Sequence, residues 1–189
     1  EANDLVKTIN SQGGHALAIQ GDVSKEDDVL RIFKTVDDRL GSLTALVNNA
    51  GVIDKKSSVA DMSFDRLQRM FAINVIGSFM CSRQAVLRMS TKFGGAGGVI
   101  VNISSRASRL GSPDQYVDYA ASKAAIDTLT IGLSKEVADE GIRVNAVAPG
   151  IIDTEIHASG GEPDRAKQAG SAIPMGRAGT ADEVADAVI

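Results

Sequence analysis

The sequence contains no tryptophan and a single cysteine, Cys81, so an intrachain disulfide is impossible. We expect this cysteine to be a small buried hydrophobe. No apolar run approaches the roughly 20 residues that a membrane span requires. The polar residues 1–4 lack the character of a signal peptide. These absences predict a cytoplasmic protein without a membrane partner.

Positive charge is in the minority, with 20 Lys and Arg against 24 Asp and Glu and a net charge of −4. A nucleic acid or an anionic membrane requires a basic face on its partner, so we expect neither. The chain is 43% hydrophobic and 23% charged, which is ordinary for a globular protein with its own core. We therefore predict residues 1–189 to form a single domain.

A glycine-rich phosphate turn is also missing. An open α/β nucleotide-binding sheet usually begins with a strand, followed by such a turn at a helix N-terminus. Neither G-x-G-x-x-G nor G-x-x-x-G-x-G stands in that context here. The glycine-rich run 94–98 comes between a predicted helix and a predicted strand, which is the reverse order. We interpret it as a turn without a phosphate-binding role.

Helical and strand patterns alternate along the chain, which is typical of parallel α/β proteins. We predict strands over residues 15–20, 43–47, 98–103 and 143–147. We predict helices over residues 1–12, 63–90 and 118–139, and two more that begin at the capping boxes of Ser24 with Asp27 and of Thr180 with Glu183. Residues 106–117 and 155–176 are predicted to be loops.

The two long helices carry periodic small or apolar residues. In the first helix, Phe64, Leu67, Phe71, Val75 and Phe79 recur at helical spacing, which predicts a helix. The second helix has large apolar side chains on one side, at Ile126, Leu129, Leu133 and Val137. Its other side is small, with Ala121, Ala125, Thr128 and Gly132. The small side fits either a subunit interface or close packing against the sheet.

Tyr119 and Lys123 are four residues apart on a predicted helix, so the phenol and the ammonium share one face. A free phenol has a pKa of about 10, which is too high for efficient proton transfer at neutral pH. A neighbouring cation favours the phenolate and lowers that pKa, which would make a general acid/base. Tyr116 has no such cation one turn later, and we interpret it as a packing or substrate-loop residue.

Polar or small residues follow each predicted strand, where ligands bind in open parallel sheets. Ser104 and Ser105 follow the strand 98–103, and a hydroxyl there can stabilise negative charge on a substrate oxygen. The other segments at strand ends are Asp22-Val23, where Asp22 could bond to an adenine, Asn48-Asn49-Ala50-Gly51, and Pro149-Gly150-Ile151-Ile152-Asp153-Thr154.

In this order and spacing, the motifs resemble the short-chain dehydrogenase/reductase family, in its single-domain branch. The match runs from about His15 to Ile189. Its most specific parts are Asn49-Ala50-Gly51, Ser105 with Tyr119-x-x-x-Lys123, and Pro149-Gly150 with Thr154. The resemblance implies an α/β fold with a Rossmann-like, doubly wound parallel sheet. The family's first two strands and its last strand have no counterpart in this sequence.

The resemblance implies a role for each matching residue. Tyr119 is the general acid/base, Lys123 lowers its pKa and holds the nicotinamide ribose, Ser105 positions the substrate oxygen, and Asn74 anchors a water in a proton relay. The cofactor is NAD or NADP. Residues expected to contact it, besides Tyr119 and Lys123, are Asp22, Val23, Asn49, Ala50, Gly51, Pro149, Gly150, Ile152 and Thr154.

The same resemblance implies an enzyme that interconverts a small-molecule secondary alcohol and a carbonyl. Residues 105–127 are similar to a bacterial subgroup that is sugar-dehydrogenase-like or uncharacterised. Family members pair their two long helices into four-helix bundles, so we expect a homo-oligomer, a dimer or a homotetramer. A non-catalytic dinucleotide-binding module and a purely structural subunit are the alternatives.

Two further groups of polar residues are weaker candidates. Asp153, Glu155 and His157 alternate as metal ligands could, but they follow Pro149-Gly150 in a predicted loop, so we expect no metal site. Arg106 and Arg109 could contact a cofactor phosphate or an acidic substrate. Solvated loop positions are the simpler interpretation of both.

The chain opens and closes inside predicted helices, so we expect it to be part of a longer polypeptide. In the family's sheet, the two missing strands lie between strands 15–20 and 43–47, and their loss would leave backbone groups unpaired. A polypeptide limited to these 189 residues should therefore neither fold stably nor bind cofactor. A cooperative thermal melt with normal cofactor affinity would refute this expectation.

Overall fold

The computed structural model describes residues 2–189, apart from the side chain of Ser171, and is built on a parallel sheet. Its strands are β1 (Ala45–Asn48), β2 (Gly98–Ile103) and β3 (Ile142–Val147), in the order β1-β2-β3. The register places Leu46 beside Ile100 and Ile100 beside Val144. The β-branched run 98–103 is the central strand of the three, as predicted.

Helices connect and cover the strands. They are α1 (Ala2–Ser11), α2 (Glu26–Leu40), α3 (Phe64–Phe71), α4 (Gly77–Met89), α5 (Ala107–Leu110), α6 (Val117–Glu136), α7 (Ile156–Ser159), α8 (Arg165–Gln168) and α9 (Ala181–Val188). A π-helical turn, Ala72–Ile76, joins α3 to α4 as one long helix. The predicted long helices and the Thr180–Glu183 capping box are confirmed. Two short helices interrupt the predicted loop 155–176.

The core lies between one face of the sheet and helices α2, α4 and α6. Val29 and Phe33 of α2 meet Ala85 and Met89 of α4 over Ile100. Cys81 is buried in the same cluster, as predicted, and burial raises the pKa of its thiol. The apolar side of α6 is also confirmed, with Ile126, Leu129 and Val137 all buried.

The predicted strand at residues 15–20 does not form. These residues follow α1 as an extended segment outside the sheet. A strand requires a neighbour for its backbone groups, and β1 has β2 as its partner on one side only. Because β1 has no neighbour on its other side within residues 2–189, it is only partly buried, and Val47 is 46% exposed. It begins at Ala45 rather than Leu43.

The predicted capping box at Ser24 and Asp27 is also wrong. Helix α2 begins at Glu26, and its first turn has no side-chain cap. The Ser24 hydroxyl and amide instead donate to Asp22 Oδ1, at 2.7 and 2.9 Å. Asp28 Oδ2 accepts from the amide of Asp22 at 2.9 Å. A short-range turn at Asp22 therefore competes successfully with the cap.

The aromatic stripe of the first long helix does not face the core. Phe64 is 75% exposed and Phe79 is 50% exposed. The buried side of this helix is smaller and more polar, and consists of Met70, Asn74, Gly77, Ser78, Cys81, Ser82, Gln84, Ala85 and Met89. Periodicity predicted the helix correctly, and its small side is the one that approaches the sheet closely.

By length and composition alone, the helix Phe64–Met89 could cross a membrane, contrary to our expectation that no such stretch exists. Core helices of globular proteins meet the same criterion. Here the helix packs on β1 and β2 and buries the polar side chains of Asn74, Ser82 and Gln84. These features are those of a core helix.

A chain of polar side chains crosses the sheet beneath its carboxyl end. Asn48 Nδ2 of β1 donates to Ser82 Oγ at 3.0 Å and to Asn102 Oδ1 at 2.8 Å. Asn102 Nδ2 in turn donates to Thr130 Oγ1 of α6 at 2.9 Å. Because Asn102 is fully buried, each of these bonds stabilises one relative position of β1, β2, α4 and α6.

Candidate active site

The carboxyl ends of the three strands open into a cavity of about 690 Å³. Nine of the predicted site residues line it, which are Asn49, Gly51, Ser105, Tyr119, Lys123, Pro149, Gly150, Ile152 and Thr154. They come from the segments that follow β1, β2 and β3 and from the first turns of α6. The topology therefore brings together residues that are up to about a hundred positions apart in the sequence, as expected for a parallel sheet.

Lys123 is the buried cation of this cavity. It is only 5% exposed, and its Nζ donates to the carbonyl oxygen of Ile103, at the end of β2, at 2.7 Å. The same Nζ lies 5.7 Å from the ring centre of Tyr119. Burial lowers the pKa of Lys123 to about 8, although the charge of Asp127 opposes this shift.

Tyr119 is partly buried, and its pKa is raised rather than lowered as we expected. Burial is the largest cause, because it disfavours the phenolate. A hydrogen bond with Ser105 and the positive charge of Arg165 act in the opposite direction. In this geometry the ammonium of Lys123 is directed at a backbone carbonyl, so burial decides the direction of the shift.

The structure separates the two serines that follow β2. Ser105 lines the cavity beside Tyr119, and its hydroxyl accepts from the amide of Ala107 at 3.1 Å. Ser104 is buried, and its hydroxyl donates to Asp127 Oδ1 at 2.5 Å. Ser105 is therefore the hydroxyl available to a ligand, and Ser104 fixes the loop to α6.

Asn74 lies behind the cavity, in the π-helical turn, and is fully buried. Its Oδ1 accepts from the amide of Val52 at 2.8 Å, and its Nδ2 donates to the carbonyl of Val52 at 2.9 Å and to Ser122 Oγ at 3.1 Å. Asn74 thus ties the segment after β1 to the helix that carries Tyr119. Gly51 lies beside both groups, since a Cβ built on it would be in van der Waals contact with Lys123 Nζ at 3.5 Å and with Asn74 Oδ1 at 3.6 Å.

Three predicted cofactor residues are not among the side chains that line the cavity, namely Asp22, Val23 and Ala50. Asp22 lines a separate hollow with Lys25, Asp28 and Arg31. Val23 packs against the long helix, where a Cβ on Gly77 would lie 2.8 Å from a Val23 methyl. The strand predicted before Asp22 does not form, so nothing aligns these two residues with the strand ends.

A cluster of charged residues beside the cavity was missed by sequence reasoning. The Tyr116 hydroxyl donates to Glu162 Oε2 at 2.5 Å, and Lys56 Nζ pairs with Glu162 Oε1 at 2.5 Å. The guanidinium of Arg165 lies 4.9 Å from the ring centre of Tyr116. These residues belong to distant segments, so no local spacing announces the cluster. Only the interpretation of Tyr116 as a packing or loop residue anticipated part of it.

The other polar loop residues divide between the cavity and solvent. His157 lines the cavity, and its Nε2 lies 2.8 Å from the carbonyl oxygen of Ile152. Arg106 also lines it, whereas Arg109 is exposed and 3.9 Å from Asp127. Across residues 2–189 no group of three His, Cys, Asp or Glu side chains is placed to hold a metal ion.

A buried ion pair fixes the first turn of α6. Arg66 Nε donates to Asp118 Oδ2 at 2.7 Å, with side-chain exposures of 11% and 0%. Arg66 Nη1 also donates to the carbonyl of Lys55 at 2.6 Å. The pair therefore joins the start of α3, the segment after β1 and the residue that precedes Tyr119.

Comparison with known proteins identifies the family of this chain. A family model described as enoyl-(acyl carrier protein) reductase matches residues 1–189. The chain is 53% identical over 188 residues to the uncharacterized oxidoreductase YgfF of Escherichia coli, covering all of this chain and 76% of that protein.

Two solved structures share the fold. A short-chain type dehydrogenase/reductase from Mycobacterium marinum matches with a TM-score of 0.89 and 31% identity, over 100% of this chain and 74% of that one. ElxO with NADP bound matches with a TM-score of 0.78 and 34% identity, over 90% of this chain and 68% of ElxO. The chain therefore belongs to the short-chain dehydrogenase/reductase family of oxidoreductases, and its predicted Rossmann-like α/β fold is confirmed.

The buried ion pair gives a stability prediction. Asp118→Ala should lower the free energy of unfolding of the complete natural polypeptide by roughly 3–5 kcal/mol, because it leaves Arg66 buried without its counter-charge. The double variant Arg66→Met/Asp118→Ala should recover much of that loss, because no buried charge is left unpaired. Urea denaturation of the unaltered protein, Arg66→Met, Asp118→Ala and the double variant forms a double-mutant cycle that measures the coupling. Equal losses in the single and double variants would contradict this account.

Proposed function

We propose that this chain carries the active site of an NAD(P)-dependent oxidoreductase that interconverts a secondary alcohol and a carbonyl by hydride transfer. Tyr119 is its general acid/base. The observation that carries the proposal is the convergence of Ser105, Tyr119 and Lys123 on one cavity at the strand ends.

The residues of the cavity suit the nicotinamide half of the cofactor. When bound, NAD or NADP supplies or accepts the hydride. The ammonium of Lys123 lies at the cavity wall and would donate to ribose hydroxyls. Asn49 and Gly51 follow β1, and their small or polar side of the cavity would let the cofactor approach the backbone. Pro149, Gly150, Ile152 and Thr154 would flank the nicotinamide. NADP in the related ElxO structure supports this class of cofactor.

Each polar residue has a task in moving the proton. In reduction, the Tyr119 hydroxyl gives its proton to the carbonyl oxygen as the hydride reaches carbon, and in oxidation the phenolate takes the proton back. Ser105 donates to the same substrate oxygen and stabilises its developing charge. A positive Lys123 stabilises the phenolate that forms, and a pKa of about 8 keeps most of it charged at neutral pH. Asn74 holds the loop after β1 in place behind them.

A non-catalytic dinucleotide-binding or structural subunit is the second candidate. The observation that favours it is the position of Asp22 and Val23, the expected adenine contacts, away from the cavity. The intact set of Ser105, Tyr119 and Lys123 favours the enzyme.

We also propose a cytoplasmic homo-oligomer, either a dimer or a tetramer. The large apolar side chains Phe64, Phe79 and Ile131 are at least half exposed on the two long helices. The small side of α6 at Ala121, Thr128 and Gly132 is also exposed. Pairing of these helices between two copies would cover both surfaces, in agreement with the subunit-interface alternative.

Tyr119→Phe tests the catalytic proposal. The variant lacks the transferable proton, so kcat for a panel of aldehydes and ketones should fall by roughly 10²–10⁴-fold. Binding of NADH or NADPH, followed by nicotinamide fluorescence of the complete polypeptide, should persist and serves as the control. Retained turnover in the variant would sink the role of Tyr119. Binding without turnover in the unaltered protein would favour the non-catalytic alternative.

A further inference from the structure

The cavity has an uneven charge. Its charged lining residues are Arg106, Lys123 and Arg165, with His157 beside them. Within residues 2–189, no carboxylate side chain lines it. This is unusual for a chain with a net charge of −4, and it favours a ligand that brings negative charge of its own.

Arg165 is one of the cations that line the cavity together with Tyr119. It begins α8, and its guanidinium lies 4.9 Å from the ring centre of Tyr116. Tyr116 is 2% exposed, so the ring is a fixed platform that limits the motion of the arginine. Its charge is near enough to lower the pKa of Tyr119. Arg165 therefore lines the same cavity as Tyr119, the proposed acid/base.

The carboxylate next to Arg165 is already engaged by other groups. Glu162 holds Lys56 on one oxygen and the Tyr116 hydroxyl on the other, both at 2.5 Å. Arg165 Nη1 lies 3.7 Å from Glu162 Oε2, which is longer than a hydrogen bond. The side chain of Arg165 is 26% exposed. Arg165 lines the cavity, so a ligand there can reach its guanidinium.

The charges of this cluster do not cancel. Lys56 and Tyr116 hold the pKa of Glu162 below its usual value, so it is ionised. Burial and Glu162 raise the pKa of Tyr116 to about 12, so it is neutral. Two cations, Lys56 and Arg165, therefore face one anion, and a net charge of +1 remains beside the cavity.

We propose that Arg165 is a specificity residue that binds a carboxylate of the substrate, which makes the preferred substrates hydroxy acids and oxo acids. This inference rests on the proposed function. The planar guanidinium can offer two parallel N–H donors to a carboxylate, which fixes the distance from the acid group to the reacting carbonyl. A neutral polyol would leave the positive charge of Arg165 without a counter-charge from the substrate.

The test compares matched substrates in the complete natural polypeptide. Aliphatic 2- and 3-oxo acids are each paired with their methyl esters, which keep the reacting carbonyl and lose the charge. We expect the unaltered protein to prefer one acid over its ester. Arg165→Gln should lower kcat/KM for that acid by roughly 30–100-fold, mainly through KM, and should lower the acid-to-ester ratio of kcat/KM by roughly tenfold or more, because any effect of the lost charge on Tyr119 acts on both substrates.

Two further variants keep the result interpretable. Lys167→Gln removes a cation from the same short helix, where the side chain is 81% exposed, and should leave the acid-to-ester ratio unchanged. Arg165→Lys keeps the charge without the forked donors and should recover the preference only in part. If Arg165→Gln does not fold, this conservative variant still tests the role of the guanidinium.

The outcomes separate the two proposals. Turnover of neutral carbonyls with an acid-to-ester ratio that Arg165→Gln does not change would overturn the carboxylate site and leave the oxidoreductase standing. A preference for phosphorylated over carboxylated substrates would also overturn it. Failure of the unaltered protein to reduce any acid, ester or neutral carbonyl, despite cofactor binding, would remove the proposed function and this inference together.

Discussion

The burial of the Lys123 ammonium is the constraint on which the rest of the site depends. A cation that is 5% exposed requires a partner, and the partner is the last carbonyl of β2, that of Ile103, at 2.7 Å. This bond sets the rotation of α6 against the central strand, and with it the place of Tyr119 one turn earlier. Burial lowers the pKa of Lys123, so the charge of a bound ligand can change the protonation of this lysine.

Buried polar side chains fix the segments around Lys123 and Tyr119 in three places. Asn74 in the π-helical turn holds Val52 by both backbone groups, and Asn102 joins β1 to α6 through Asn48 and Thr130. Arg66 and Asp118 fix the first turn of α6. Each of these side chains would destabilise the core if it lost its partners. The polar interior therefore holds Ser105, Tyr119 and Lys123 in one arrangement.

The sequence predicted most of the site and less of its surroundings. Strand-end rules placed Ser105 and Thr154 at one edge of the sheet because carboxyl ends of parallel strands share an edge. Helix spacing paired Tyr119 with Lys123, and the family resemblance joined that pair to Ser105. The strand-end rules failed at Asp22 and Val23, since the strand before them has no neighbour to pair with. Periodicity predicted the first long helix but did not show its buried face, because close packing on the sheet selects small residues rather than the periodic aromatic ones. The cluster of Tyr116, Glu162, Lys56 and Arg165 joins distant loops, which no local pattern can reveal.

The most direct test of the central claim is to follow the hydride itself. The complete natural polypeptide is incubated with a carbonyl panel and with NADH or NADPH deuterated at C4 of the nicotinamide, and each alcohol product is weighed by mass spectrometry. The account predicts an alcohol that carries one deuterium from one face of the cofactor, formed by the unaltered protein. Alcohol formed without deuterium from either face, or no alcohol from any carbonyl despite cofactor binding, would contradict it.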